Sequence, residues 1–437
     1  MRDRTRGTGP KLGYACALLL MLAVAVAGEA QLDPADYLSG DWGGLRSRLH
    51  DDGVDLQLVY FSEPAYNAGG GERRLARYAD QLTADASFDL DQLFHWPQAI
   101  FKVTLTDRNG DNLSADANLH TLNEVQEVYG RGDILRLTEL SYEQVLLGGL
   151  FDVKLGRLGV GGSFYNWSCQ FMNLTFCGEL PGNIVSTWYN WPVSQWGTRL
   201  RLRLNEDMRI EAGAYQINPR NLENSYGTSL TFSGGIGWMI PLEFDWSPVF
   251  GPGQRPGTYR IGAWYDTSRQ PDVFLAANGQ PQVLNPTLPP LLRAAESGFY
   301  LNAQQQITGT SAHARNLSVF FNWVEADHNT ATLSELLSVG LFYSGPFAAR
   351  PQDVLGFAVG RTRVNPRVAE GQRLLNGTGI APAVPVQGAE YPIELFYNFN
   401  LRGWLSLSPL IQYISHPGGS SAYADVVVLG ANIAITF

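Results

Sequence analysis

The chain ends in DVVVLGANIAITF, Asp425 to Phe437, and the alternation in these residues decides the fold. Val427, Leu429, Ala431, Ile433, Ile435 and Phe437 fall on one face of an extended chain, and Val428, Gly430, Asn432, Ala434 and Thr436 on the other, because successive side chains of a strand point to opposite sides. One face is apolar to the last residue. Soluble chains usually end in a few poorly ordered polar residues, so a strand that keeps its pattern to Phe437 needs a partner. A closed barrel supplies it, since the last strand then pairs with the first and no edge remains.

The same pattern recurs upstream. QLTADASFDLD (81–91) sets Leu82, Ala84, Ala86, Phe88 and Leu90 against Thr83, Asp85, Ser87 and Asp89. IFKVTLTDRNGD (100–111) sets Phe101, Val103 and Leu105 against Lys102, Thr104 and Thr106 and ends in an Asn-Gly turn. TRLRLRLNED (198–207) opposes Leu200, Leu202 and Leu204 to Arg199, Arg201 and Arg203. GWMIPLEFDW (237–246) opposes Trp238, Ile240, Leu242, Phe244 and Trp246 to Glu243 and Asp245, and YPIELFYNFN (391–400) opposes Ile393, Leu395, Tyr397 and Phe399 to Glu394, Phe396, Asn398 and Asn400.

Segments of about ten residues with one apolar face and one polar or small face mark a transmembrane β-barrel, whose outer face meets lipid and inner face the lumen. The reading places strands at 53–61, 80–90, 98–107, 134–145, 150–158, 196–205, 207–217, 233–246, 257–267, 298–308, 315–325, 333–343, 352–361, 390–400, 402–413 and 425–437. The fold expected is therefore all-β: an antiparallel transmembrane barrel of about 16 strands, wide enough for an aqueous channel. Short turns alternate with long connections at 159–195, 268–297 and 362–389, as they do between the periplasmic and outer ends of such barrels. A secreted β-sandwich or β-helix would show similar strands, but its outward faces would be polar.

Three domains are expected. Residues 1–30 have the parts of a signal peptide: Arg2, Arg4, Arg6 and Lys11, then the apolar YACALLLMLAVAVAG, then small residues before a cleavage point at Ala27 or Ala30. The run is shorter than a spanning helix needs. Residues 31–52 form a periplasmic N-terminal segment and 53–437 the barrel. The chain carries a formal net charge of −10 that includes a basic leader, which argues against nucleic acid as a partner. Cys16 lies in the leader, so Cys169 and Cys177 are expected to form one disulfide. A metal site there lacks a nearby His and the usual CxxC spacing.

What narrows and lines the hole matters most in a channel. The segment GGSFYNWSCQFMNLTFCGELPGNIVSTWYNWPVSQW, within 159–195 and running on to Trp196, is expected to fold inward as a constriction loop. Its rings, among them Trp167 and Trp191, suit the C–H faces of sugars, and Asn166, Gln170, Asn173, Asn183 and Asn190 suit their hydroxyls. The plainer alternative is that most of these rings form the loop's own core and the membrane girdle. Arg199, Arg201 and Arg203 share one face, which has to be the lumen side because lipid exposure near mid-membrane is costly. Asp85, Asp89, Glu243, Asp245 and Glu394 are the expected partners, and Lys102 a further lining cation. An anion filter would use the same arginines, and inward charges also pair purely for structure. No HExxH spacing or Gly-x-Ser-x-Gly elbow is present, so no catalytic constellation is expected.

GDWGGLRSRLHDDGVDLQLVY (40–60), YADQLTADASFDLDQL (78–93), VTLTDRNGDNLSAD (103–116), NEVQEVYG (123–130), LRLTELSYEQ (135–144), KLGRLGVGGSF (154–164) and FCGELPGN (176–183) together resemble the OprB-type carbohydrate-selective porin family. The resemblance implies an outer-membrane barrel through which small sugars such as glucose diffuse passively, past a narrowed, charge-lined eyelet and without a cofactor. Outer-membrane lipid and the barrel assembly machinery, meeting the final strand at Phe437, are the expected surroundings, and a homotrimer is one assembly such barrels adopt. Alternative functions are a general or anion-preferring porin, a secreted carbohydrate-active β enzyme, and a wall-anchoring protein.

Overall fold

The computed structural model describes residues 33–167, 170–310, 315–379 and 382–437; the expected leader at 1–30 and Cys169 lie outside them. Seventeen segments form one sheet. One of these is the two-residue extension Val249–Phe250, which leaves sixteen wall strands. They are β1 Val54–Gly69, β2 Ala76–Asp89, β3 Ala99–Gly110, β4 Ile134–Leu146, β5 Phe151–Leu158, β6 Gln195–Arg203, β7 Met208–Ile217 and β8 Gly237–Trp246. The wall continues with β9 Arg255–Asp266, β10 Glu296–Gln306, β11 Asn316–Glu325, β12 Leu333–Ser344, β13 Val354–Val364, β14 Ala389–Arg402, β15 Leu405–Ser415 and β16 Val426–Thr436.

Each strand pairs antiparallel with its sequence neighbours, and β16 returns to β1 with Ile435 opposite Tyr60 and Leu429 opposite Tyr66. The sheet is a closed barrel, and the pattern of the terminal strand has its partner. Leu200, Leu202, Ile240, Leu242, Ile411 and Leu429 are exposed on the outer surface, which is where lipid replaces water and apolar side chains carry no solvation cost.

Several boundaries move for identifiable reasons. β1 runs to Gly69 rather than ending at 61, because Pro64 needs no N–H where it stands: it lies opposite Tyr78 of β2, while the pairing with β16 steps from Ser62 to Ala65. β8 begins at Gly237 rather than 233, after Gly234 takes a positive φ of 97°. The freed residues 218–236 fold over the upper outside of β4–β6, where Leu137 N bonds Gly227 O at 2.9 Å, Arg157 Nη1 bonds Ser229 O at 2.9 Å and Trp196 Nε1 bonds Leu230 O at 3.1 Å. The expected plain connections at 268–297 and 362–389 contain, respectively, a ribbon of Gln270–Ala276 with Pro290–Arg293 and a helix, Pro366–Thr378. Asp272 ties the two together by accepting from Arg293 and Arg367.

The segment before β1 docks on the end of β16. Leu38 N donates to Thr436 O at 2.8 Å. Arg46, on the helix Leu45–Asp51, lies between the Tyr37 and Trp42 rings at 3.6 and 4.2 Å and donates from Nη2 to Phe437 O at 2.7 Å. Replacing Arg46 by Ala removes one charge-assisted hydrogen bond and two cation–π contacts, a loss of about 2–4 kcal/mol. The expected result is a lower temperature for the heat-induced mobility shift of the folded barrel on a gel, with the strands themselves retained.

Candidate functional site

Two outer connections run into the barrel instead of away from it. The first, 111–133, places Leu113, Leu119, Val125 and Val128 in full burial; the second, 159–194, does the same with Phe164, Tyr165, Phe171, Met172, Phe176 and Trp188. The longer segment reaches walls on opposite sides: Tyr165 N bonds Glu243 of β8, Met172 N bonds Glu394 of β14, and Trp191 Nε1 bonds Gln81 of β2. Its rings pack on an apolar arc of the inner wall, Trp167 against Phe320 and Phe342, Phe171 against Phe396, and Trp188 against Trp264 and Tyr300. Cys177 is a disulfide cysteine.

A continuous belt of charge runs along the periplasmic half of the inner wall from β4 to β9. Lys154 meets Glu139 at 2.6 Å and Glu143 at 3.6 Å; Glu143 meets Arg199 at 2.7 Å, and Arg199 pairs with Asp152. Asp152 meets Arg201 at 3.2 Å, Arg201 meets Glu211 at 2.9 Å, and Glu211 meets Arg209 at 3.0 Å. Asp245 then joins Arg209 at 3.0 Å to Arg260 at 2.7 Å. From Arg260 the belt goes on without charge, through Asn302 (2.8 Å), Asn322 (2.5 Å) and Ser338 (3.2 Å). It crosses β4 to β12 in strand order. The five cations Lys154, Arg199, Arg201, Arg209 and Arg260 meet the five carboxylates Glu139, Glu143, Asp152, Glu211 and Asp245, so the belt is electrically balanced.

Above the belt, the two inward segments and strands β2 and β3 bring together Gln81, Arg108, Glu127, Arg131, Glu179 and Trp191. Gln81 Oε1 accepts from Arg108 Nε at 2.7 Å and from Trp191 Nε1 at 3.2 Å. Arg108 also lies 3.6 Å from Glu127. Trp191 N reaches Glu179 Oε1 at 3.4 Å, and Arg131 Nη2 reaches Gly182 O at 3.5 Å. Burial pushes the Glu179 carboxyl up to about 7, against the downward pull of the Trp191 N–H and of Arg131 and Arg108. Burial raises Glu127 as well, with Arg108 opposing.

The structure relocates several residues singled out in the sequence. Arg199 and Arg201 stand inside the barrel with their neighbours Leu200 and Leu202 exposed outside, and Arg203 ends the row half-buried. Their partners are Glu143, Asp152 and Glu211, not the five expected carboxylates. Lys102 pairs with Asp85 at 3.1 Å, one step along the wall. Asp89 caps the short helix Leu90–Phe94 by accepting from Asp91 N and Gln92 N, so it sits at a turn and not on the lumen track. Asp245 belongs to the belt. Glu243 and Glu394 are buried and hold the backbone of the long segment. Trp167 is 8 % exposed, wedged between that segment and the wall with its Nε1 on Phe176 O, whereas Trp191 keeps part of its ring uncovered. Asn173, Asn183 and Asn190 spend their amides on Gln412, on Leu174 and Cys177 carbonyls, and on each other. Gln81, Arg108, Glu127, Arg131 and Glu179 were missed: they sit on two strands and two connections, and alternation says nothing of which side chains converge.

Comparison with known proteins agrees with this architecture. The family model described as "Carbohydrate-selective porin, OprB family" matches residues 73–437. Porin B of Pseudomonas aeruginosa is 38 % identical over 99 % of both chains, and a putative porin, QuiX, of Acinetobacter baylyi is 32 % identical over 98 % of this chain and 99 % of that one. The high-pH structure of Pseudomonas putida OprB superposes with a TM-score of 0.89 at 40 % identity, covering 94 % of this chain and all of that one. A closed sixteen-stranded wall, a lumen occupied by two infolded segments and these matches lead to one conclusion: the chain belongs to the OprB family of carbohydrate-selective porins and is a sugar channel of the bacterial outer membrane.

Proposed function

We propose that the solute is selected where Trp191 and Arg108 converge on Gln81, and that small sugars such as glucose pass there by diffusion into the periplasm. The observation that carries this reading is the shared acceptor: one amide oxygen fixes an indole and a guanidinium side by side. An indole face suits the C–H face of a pyranose, while Glu127, Arg131 and Glu179 offer donors and acceptors for its hydroxyls and the buried Arg108 holds Gln81 and Glu127 in place. A channel of this kind needs sites that bind weakly enough to release. Arg201, Arg203, Lys102 and Asp85, which are partly exposed, line the route below as a polar track, with Arg199 and Asp245 buried behind them. Its balanced ion pairs speak against a simple anion filter.

A second reading, passage of organic anions, draws on Arg131 and Arg136. Arg136 gives Nη1 to Asn221 O at 2.7 Å and Nη2 to Arg131 O at 3.3 Å, so its partners are carbonyls, not carboxylates. Further parts of the reading are a leader at 1–30, a periplasmic segment at 31–52 ahead of a barrel at 53–437, a Cys169–Cys177 staple in the constriction loop, delivery to the assembly machinery through the strand ending at Phe437, and a homotrimer. The basic, apolar and small parts of 1–30 support the leader, the docked segment 33–52 the periplasmic part, the disulfide state of Cys177 the staple and the period of β16 the delivery.

Single-channel recording in a planar bilayer separates the readings. Glucose and maltose block the current through the wild type, and Trp191→Ala weakens that block by about tenfold, the loss of one stacking contact worth about 1–1.5 kcal/mol. Block by organic anions with indifference to sugars overturns the sugar reading.

Arg201→Ala leaves Asp152 and Glu211 short of a cation in a lumen where Arg201 itself is 14 % exposed. The expected outcome is a shift of reversal potential toward cations and a barrel less stable by about 3 kcal/mol, with sugar block much less affected.

Glu179 gives a pH dependence with a definite sign. Its carboxyl is neutral below and charged above about 7, so the lumen gains a negative charge as pH rises through that value. Anion permeability relative to cations therefore falls across that range, and Glu179→Gln removes the step. Because the folded-state value is raised, the stability this group contributes is fully present below its unfolded value and is lost as pH rises through about 7.

A further inference from the structure

The segments 111–133 and 159–194 cross the lumen largely without regular secondary structure, so their backbone N–H groups need acceptors from elsewhere. The wall provides them as buried carboxylates. Glu394 takes Met172 N on Oε1 at 2.8 Å and Asn173 N on Oε2 at 2.9 Å. Glu243 takes Tyr165 N at 2.8 Å together with the Tyr300 hydroxyl at 2.7 Å. Glu63 of β1 takes Val128 N at 3.1 Å, and Glu390 of β14 takes Leu122 N at 2.8 Å. Each of these glutamates is essentially sealed from solvent, so none has a free face to offer a passing solute. Carrying a carboxylate into such a place is costly unless its oxygens are bonded; at Glu394 backbone donors of the segment bond both oxygens, whereas at Glu63 and Glu243 they reach only one.

Beside the glutamates the wall has glycines that leave room for the segments. A Cβ on Gly430 would lie 2.6 Å from Met172 Cε, one on Gly360 2.7 Å from Thr175 Cγ2, and one on Gly213 2.9 Å from Phe164 Cε2. Met172 is thus held twice, by Glu394 through its backbone and by the space at Gly430 for its side chain. Trp191, at the other end of the same segment, is the residue that meets Gln81 and Arg108.

We propose that Glu394, acting with Gly430 two strands away through the Met172 they share, is a positioning residue that fixes the width of the aperture and so the size of sugar admitted, without touching the sugar. The inference rests on the sugar-channel reading above. Glu394 anchors the middle of the segment against β14, and the segment then delivers Trp191 to the far wall at β2. Loosening the anchor lets the segment shift as a body, because its rings share one packed cluster on the apolar arc.

The test compares Glu394→Gln, Glu394→Ala and Gly430→Val in full-length protein refolded in detergent and inserted in planar bilayers and liposomes. Readouts are open-channel noise, the glucose block constant, and entry of glucose against maltotriose by liposome swelling. Glu394→Gln keeps one acceptor but turns an amide N–H toward a backbone N–H; Gly430→Val displaces Met172 with no change of charge. Both are expected to raise noise, weaken glucose block about three- to tenfold and admit maltotriose faster relative to glucose, Glu394→Ala more so. Reversal potential stays near the wild-type value in Gly430→Val. Arg46→Ala, destabilised far from the aperture, keeps wild-type block and size limit, which separates positioning from general loss of stability. Wild-type block and size limit in folded Glu394→Gln and Gly430→Val overturn the proposal, and Gly430→Val alone decides it where the Glu394 variants do not fold. Absence of sugar block in the wild type defeats the sugar-channel reading instead, and the size limit still reports on the anchor.

Discussion

A bilayer core offers no hydrogen-bond partner, so every backbone N–H and C=O that crosses it must be satisfied within the protein. The rest of this structure depends on that constraint. It requires the wall to close, which makes β16 pair with β1 and extends the alternating pattern to the end of the chain. It also confines irregular backbone to places shielded from lipid. The two infolded segments meet that requirement by lying inside the barrel, where wall side chains can reach their N–H groups.

The lumen then divides into two arcs with different tasks. From β9 to β14 the inner face carries Trp264, Tyr300, Phe320, Phe342 and Phe396, on which the long segment packs its own rings. This arc behaves like the core of a soluble protein, and glycines next to its rings reflect the crowding: a Cβ on Gly356 would come within 2.2 Å of Phe396. From β4 to β9 the inner face holds the ion-pair belt. The packed segment fills the lumen beside the apolar arc. The pairs of the belt are balanced and mostly buried, which limits the net field they add.

The wall was legible in the sequence because a period of two survives in strand after strand and needs no knowledge of neighbours. Its failures came where an element ends for a reason outside the pattern. β1 continued through Pro64 because the adjacent pairing leaves that position without need of an N–H, and β8 started late because the backbone turned at Gly234. The infolding of 159–194 was foreseeable from its length and aromatic content. That of 111–133 was not, because a polar stretch such as NLHTLNEVQEV looks like an ordinary outer loop until Gln126 and Val128 are seen bonded to Glu63.

Lumen carboxylates were harder still, since an inward Asp or Glu has the same sequence signature in three different settings. Asp245 holds two arginines, Asp89 caps a helix, and Glu394 holds two backbone N–H groups. What separates them is depth: how far along the strand the residue stands, and whether an infolded segment covers it. Glu394 spends both oxygens on the protein and Glu243 is sealed from solvent, so both leave the set of direct contacts. By the same argument the proposed contacts narrow to Trp191, Glu127, Arg131 and Glu179, which stay partly exposed, while Gln81 and Arg108 are buried behind them. Selection then depends on few residues, while the many that hold the segment in register decide where those few stand.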